Sequence, residues 1–255
     1  MLHYEKNGCI ATITFDNPPA NTLTPEMHKR LFEVLTEFNA DSDVFCGILT
    51  SAPGTPFCAG ADIKTPRPER SRLETVERHL APSAAYPDAS YPGWEREVMN
   101  LPRFKPIVAA IRGYCLGQGF IYMNLLSDIR YAARGTKFGV PEIAYGMGGA
   151  GGMMSLGHHI PHVAAMELLL LGDSVSAEEA KRMFLINDVT DDDALMDRAM
   201  AVAQRIASHP CIGVRTEMES YQRSLDLSRS DGRAMAEHMY RLSRSVQSTQ
   251  LPVFK

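Results

Sequence analysis

No stretch of this 255-residue chain is long and apolar enough to cross a bilayer. The run at 166–171 stops far short of the roughly 20 residues that a spanning helix needs. No basic stripe is present either. Lys and Arg number 26 against 30 Asp and Glu, for a formal charge of −4, and they are scattered. That balance argues against a nucleic-acid partner. The five cysteines (Cys9, Cys46, Cys58, Cys115, Cys211) are odd in number and lack C-x-x-C spacing. A disulfide framework is disfavoured, and free thiols in a reducing, cytoplasmic compartment are expected. The opening His3-Tyr4-Glu5-Lys6 does not read as a secretion signal. There is no Gly-x-Ser-x-Gly elbow and no Gly-Lys-Ser/Thr phosphate loop. His158, His159 and His162 are broken by Pro161 and offer no metal-ligand spacing. Neither an internal repeat nor a low-complexity segment is visible.

What is there describes a globular α/β chain. Apolar residues make up 45% and charged residues 22%, enough for one large core. Alternation over 9–15, and apolar runs over 44–50, 107–111 and 128–133, predict strands. Thr24 followed by Pro25 predicts an N-cap and first helical turn, with Met27, Leu31, Val34, Leu35 and Phe38 on one apolar face. Residues 65–101 read differently, with five prolines, many charges, and Tyr86, Tyr91 and Trp94. A helix over 69–80 and a loop over 81–93 are expected there, as a lid beside a site. Beyond Ala164 the pattern turns helical, with a capping box at Ser176-Ala177-Glu178-Glu179 and amphipathic helices over 194–208, 214–227 and 232–246.

Three segments carry chemistry. Phe57-Cys58-Ala59-Gly60-Ala61-Asp62-Ile63-Lys64 follows a strand with residues small enough for a ligand to approach the backbone. Taken alone, it is equally an ordinary tight connection. Gly113-Tyr114-Cys115-Leu116-Gly117-Gln118-Gly119 opens the very apolar helix at 120–126. The amides at the start of a buried helix need an acceptor. A dinucleotide fingerprint is discounted there, because its third glycine position is Tyr122. Phe138-Gly139-Val140-Pro141-Glu142-Ile143 places one carboxylate in an apolar setting, ahead of Gly148-Gly149-Ala150-Gly151-Gly152. Desolvation there would suit Glu142 to proton transfer, although a Glu after Pro is also common at surface turns.

In this order and spacing, the segments resemble the crotonase, or enoyl-CoA hydratase/isomerase, superfamily, from about Ile10 to Ser208. The resemblance implies an α/β fold: a crotonase-like spiral of ββα units with a C-terminal helical trimerisation region. The core and acyl-CoA site would occupy 1–195 (the lid about 65–101), and the oligomerisation region 196–255. It further implies an acyl-CoA substrate, no cofactor beyond that coenzyme A, no nucleic-acid or membrane partner, and a homotrimer or homohexamer. The backbone N–H groups of Ala61 and Gln118 would form an oxyanion hole. Ala59, Gly60, Ala61, Asp62, Ile63 and Lys64, with Gly117 and Gln118, would contact the CoA thioester. Two departures stand out. Gln118 replaces the middle glycine of the family turn, and Ile121 replaces the glutamate that hydratases carry two residues beyond the last glycine.

With Glu142 as the single carboxylate, the expected activity is a Δ3-Δ2-enoyl-CoA isomerase-like proton shuttle through an enolate. The alternatives are an enoyl-CoA hydratase, a lyase or hydrolase on a branched or aromatic acyl-CoA, and a non-catalytic CoA-binding or assembly protein on the same fold.

Overall fold

The main sheet begins with a hairpin that apolar periodicity does not reveal. In the computed structural model, which describes residues 1–65, 69, 71–74, 76, 93–148 and 153–247, β1 (Leu2–Asn7) pairs antiparallel with β2 (Ile10–Phe15). Only Leu2 of β1 is fully buried, so the strand carries no alternating apolar signal. From β2 onward the strands run parallel: β3 (Cys46–Ser51), β4 (Ile107–Ile111), β6 (Ile129–Ala133) and β9 (Asp188–Thr190). The sheet order is β1-β2-β3-β4-β6-β9. Every residue of β3 and β4 is buried, as expected of parallel strands covered on both faces.

A second sheet, β5-β7-β8, is built from Tyr114–Leu116, Lys137–Gly139 and Val175–Ser176. The chain visits the two sheets in turn. β4 leads to β5 and then to a helix at Gln118–Leu126; β6 leads to β7 and then to 3-10 turns at Pro141–Tyr145 and Met153–His158 and a helix at His162–Leu171. This ββα repeat is structural. What recurs is strand, strand and helix rather than particular residues, so the sequence shows no repeat.

The helices are numbered in chain order. α1 (Pro25–Ala40) is capped as expected: the Thr24 hydroxyl accepts from the Met27 N–H at 3.3 Å, with Pro25 at the first helical position. All five expected core side chains of its apolar face are buried, and His28 is buried with them. Each such aliphatic or aromatic burial stabilises the fold by about 1.5–3 kcal/mol. α2 (Glu95–Met99) packs against α1. α3 is Gln118–Leu126 and α4 is His162–Leu171. α5 (Ala177–Arg182) opens with the expected capping box between Ser176 and Glu179. α6 (Leu195–Ala207) sets Leu195, Ala199 and Ala203 with Ile48, Val108 and Ala110 in a second apolar cluster. α6 therefore belongs to the sheet's packing, although it lies almost wholly on the helical side of the expected boundary at 195/196. α7 (Cys211–Ser224) and α8 (Arg229–Gln247) pack on each other and leave Ile212, Tyr221, Tyr240 and Leu242 exposed.

The stretch beyond Ala164 is not uniformly helical. β8 and β9 interrupt it, and strands of two and three half-buried residues are too short to register as alternation. The expected helix over 69–80, the loop over 81–93 with Tyr86 and Tyr91, and the glycines at 149–152 lie wholly or largely outside the described residues.

Candidate active site

Two turns are brought side by side by backbone hydrogen bonds. Cys58 N–H donates to Tyr114 O at 2.8 Å and Leu116 N–H to Cys58 O at 2.9 Å, so Cys58 and Cys115 form a parallel bridge. On the other flank, Leu23 N–H donates to Gly60 O and Asp62 N–H to Leu23 O, both at 2.9 Å. In a parallel bridge of this kind the outer neighbours of the bridged residue make the bonds. The N–H of Ala61, the bridged residue, is left facing away from Leu23. Gly60 holds φ +110°, a backbone that L side chains rarely adopt, where the first turn passes beside Leu116 and Gln118.

Gln118 is the first residue of α3, where a backbone N–H has no acceptor within its own helix. Among the described residues, neither the Ala61 nor the Gln118 N–H is taken up by another backbone group. Gln118 is not among the residues with positive φ, so the side chain that replaces a family glycine brings no backbone strain. Gly119 explains itself differently. A Cβ there would strike Cys58 Cβ at 2.5 Å, so the close seating of α3 on the first turn requires glycine.

Glu142 comes from the 3-10 turn at Pro141–Tyr145, which follows β7. Its carboxylate reaches back to the second turn: a Cβ on Gly117 would lie 2.6 Å from Glu142 Oε1. The other oxygen, Oε2, is buried with no hydrogen-bond partner. Burial raises the carboxyl above the ordinary range. The three residues singled out for chemistry, Ala61, Gln118 and Glu142, thus converge. The arrangement can hold one developing negative oxygen at two N–H groups, with a partly desolvated carboxylate beside it.

The other expected contacts are distributed along the first turn. Asp62 ties it down, its oxygens accepting from Lys64 N–H at 2.9 Å and Thr65 Oγ1 at 2.7 Å. Ile63 and Lys64 are exposed at the rim. Ile121 is 2% exposed and sits in the core, so its position brings no carboxylate.

A buried polar group behind Gln118 escapes sequence reasoning. Tyr122, one turn along α3, has its hydroxyl 2.5 Å from His28 Nδ1 on α1. The Gln118 side-chain amide interacts with the Tyr122 hydroxyl, yet its Nε2 makes no well-formed hydrogen bond. Glu95, at the start of α2, raises the Tyr122 pKa and itself feels the charge of Glu142. His28 does share the apolar periodicity of α1, which was the one signal available. Nothing in the linear pattern marks Glu95.

Burial holds His28 neutral, with its pKa lowered from 6.5 to about 4. Between those values the unfolded chain binds a proton that the folded state refuses, so stability falls as pH drops through that window. One such group accounts for about 3 kcal/mol. Urea unfolding of wild type and His28→Asn between pH 7 and 4 checks this. The wild-type stability is expected to fall more steeply, and parallel curves would contradict it.

Residues 5–251 match the family model described as enoyl-CoA hydratase/isomerase. The chain is 33% identical over 219 residues to (E)-benzylidenesuccinyl-CoA hydratase of Thauera aromatica, covering 85% of this chain and 80% of that protein. It is 29% identical over 245 residues to carnitinyl-CoA dehydratase of Escherichia coli strain K12, covering 96% and 86%. Among solved structures, it resembles enoyl-CoA hydratases from Mycobacterium smegmatis (TM-score 0.80, 26% identity, 95% of this chain and 90% of that chain) and Mycobacterium marinum (TM-score 0.78, 29% identity, 96% and 90%). With the crotonase fold in place and the family model covering nearly its whole length, this chain belongs to the enoyl-CoA hydratase/isomerase family.

Proposed function

We propose that the protein catalyses the reversible addition of water to a 2-enoyl-CoA thioester through an enolate, with Glu142 moving the proton at C2. The Ala61 and Gln118 N–H groups hold the thioester oxygen as it gains charge. The carrying observation is the position of Glu142, whose Oε1 lies against Gly117 immediately beside the Gln118 amide. The activities named for the relatives, a hydratase and a dehydratase, support this direction of chemistry over the isomerase expected from the sequence. Isomerisation of a 3-enoyl-CoA remains the second reading, favoured by Ile121 where a second carboxylate would otherwise stand.

Lys64, exposed at the rim of the first turn, is assigned to the phosphates of CoA, and no cofactor beyond the substrate's coenzyme A is needed. The exposed apolar residues of α7 and α8 are assigned to a homotrimer or homohexamer interface. No helix among the described residues is long and apolar enough to cross a membrane; a cytoplasmic location is part of the proposal.

The test is to give purified protein crotonyl-CoA or cinnamoyl-CoA and follow loss of the conjugated thioester absorbance, and separately to give it a 3-enoyl-CoA and follow its gain. Hydration is expected. A protein that conjugates the 3-enoyl substrate but hydrates neither 2-enoyl probe transfers the assignment to isomerisation.

A further inference from the structure

A buried polar atom without a hydrogen bond is costly unless water or a ligand completes it. Two such atoms stand close together behind the oxyanion turns. Gln118 is 6% exposed and His28 0%, and among the described residues the Nε2 atoms of both are buried with no hydrogen-bond partner. Tyr122, also 0% exposed, lies between them. Its hydroxyl is 2.5 Å from His28 Nδ1, and the two rings meet edge to face with their centres 5.5 Å apart. Gln118 and Tyr122 occupy positions i and i+4 of α3, so their side chains share one face of the helix. There the Gln118 carboxamide meets the Tyr122 hydroxyl without a well-formed hydrogen bond.

The three groups hold more hydrogens to donate than their mutual contacts use. A carboxamide carries two, a hydroxyl one and a neutral imidazole one. Burial keeps His28 neutral. With its proton on Nε2, the imidazole accepts from Tyr122 and its own N–H is spare. With the proton on Nδ1, it donates to Tyr122, and the phenol hydrogen turns toward the carboxamide. In both tautomers a Gln118 N–H has nothing to donate to.

The spare donor belongs to the residue that grips the thioester. Gln118 opens α3, and its backbone N–H holds the thioester oxygen under the reading above. Glu142 Oε1 reaches the preceding residue, Gly117. The Gln118 side chain leans from this point along α3 toward His28 of α1, on the buried side of the site and away from the exposed rim at Ile63 and Lys64.

We propose that the Gln118 side-chain carboxamide is a specificity group, donating to an uncharged oxygen carried by the acyl chain just beyond the C2=C3 bond. This rests on the hydratase/dehydratase reading and deepens it: the preferred substrate is an oxygenated 2-enoyl-CoA rather than a plain hydrocarbon one. Tyr122 and His28 are positioning residues, which hold the carboxamide in place. The oxygen is uncharged because the donors are neutral, and a carboxylate would set a second negative charge beside ionised Glu142. A hydrocarbon chain of the same size would seal the spare N–H against carbon. A site built to hydrogen-bond an oxygen rejects the analogue that lacks it. The same reading accounts for a long polar side chain where the family turn has a glycine.

The test measures kcat/KM for hydration of two matched pairs: 4-hydroxy-2-butenoyl-CoA against 2-pentenoyl-CoA, and 5-hydroxy-2-pentenoyl-CoA against 2-hexenoyl-CoA. In each pair a hydroxyl takes the place of a methyl. The wild type is expected to favour the hydroxyl member of at least one pair by about 10–100-fold, the effect of leaving one buried donor unpaired. Gln118→Met keeps the backbone N–H and the length of the side chain, and is expected to abolish that preference. Tyr122→Phe, which frees the carboxamide, is expected to weaken it several-fold; an unchanged ratio there removes Tyr122 from the positioning role. Equal use of both members of each pair by the wild type overturns the proposal, because a retained water then satisfies the donors. A preference that survives Gln118→Met overturns it too, and so does a greater preference for 4-carboxy-2-butenoyl-CoA than for either hydroxyl probe. If Gln118→Met does not fold, Gln118→Leu is judged by the same ratio. A wild type that hydrates no 2-enoyl probe, hydroxylated or not, overturns the hydratase reading itself, so absent turnover and unselective turnover separate the two failures.

Discussion

Replacing Glu142 with glutamine is expected to lower the rate of C2 proton exchange, and of hydration with it, by about 1000-fold, within the range found when a positioned acid–base group is lost. The amide keeps the shape of the side chain but cannot take a proton. Stability should not fall in step. Burial already disfavours the ionised carboxylate, and Oε2 has no partner to lose. At neutral pH the native carboxylate is therefore a charge the fold tolerates at some expense, and a neutral isostere should leave the melting temperature unchanged or slightly higher. Exchange measured by mass spectrometry, alongside thermal unfolding, reads both quantities. Full exchange in Glu142→Gln would remove this residue from the mechanism. The direction of the shift also places the acidic limb of the exchange rate: activity should appear at a higher pH than an ordinary glutamate would give, because Glu142 must be ionised to act as a base.

Gly117→Ala is expected to have the second-largest effect, for two reasons that add. The backbone at Gly117 (φ 52°, ψ −123°) is one that only glycine adopts without strain. The new Cβ would also fall 2.6 Å from Glu142 Oε1, so the carboxylate must move. A displacement of about 1 Å at a reacting group costs on the order of 100-fold in rate, and the strain costs about 1–3 kcal/mol in stability. Gly146→Ala separates the two contributions. Gly146 also has positive φ (70°), but nothing lies within 4 Å of a Cβ built there. Both variants should melt earlier, while only Gly117→Ala should lose turnover. Equal activity in the two would show that the approach of Glu142 to this turn is not needed for catalysis.

The parts of this architecture that could be read from the sequence depend on near neighbours. Thr24 and Pro25 announce α1, and the spacing of Met27, Leu31, Val34, Leu35 and Phe38 announces its buried face, because capping and amphipathicity act within a few residues. β4 was legible as an unbroken apolar run. β1, β8 and β9 were not, since polar or two- to three-residue strands owe their existence to the neighbour they pair with. The site divides along the same line. Ala61, Gln118 and Glu142 sit in motifs that announce turns, and whether Gln118 could stand for a glycine depended on one torsion angle that the sequence does not state. His28 and Tyr122 meet across 94 residues. No spacing rule anticipates such meetings, because they are products of the fold rather than of the local chain.

The bridge between Cys58 and Cys115 carries a chemical consequence for any thioester held at the neighbouring turns. A thiolate attacks an acyl thioester readily and would strip the acyl group from its carrier, leaving the protein acylated. Cys58 sits directly behind Gly60, whose N–H approaches its Sγ at 3.3 Å, and Cys115 Sγ lies 3.7 Å from Met123 Sδ. Burial pushes the Cys58 thiol up to about 12 and Cys115 well above its usual range. At neutral pH the Cys58 thiol therefore stays protonated. Two sulfurs can thus line the back of the turns without competing for the cargo, and the same desolvation shields them from peroxide and alkylating reagents.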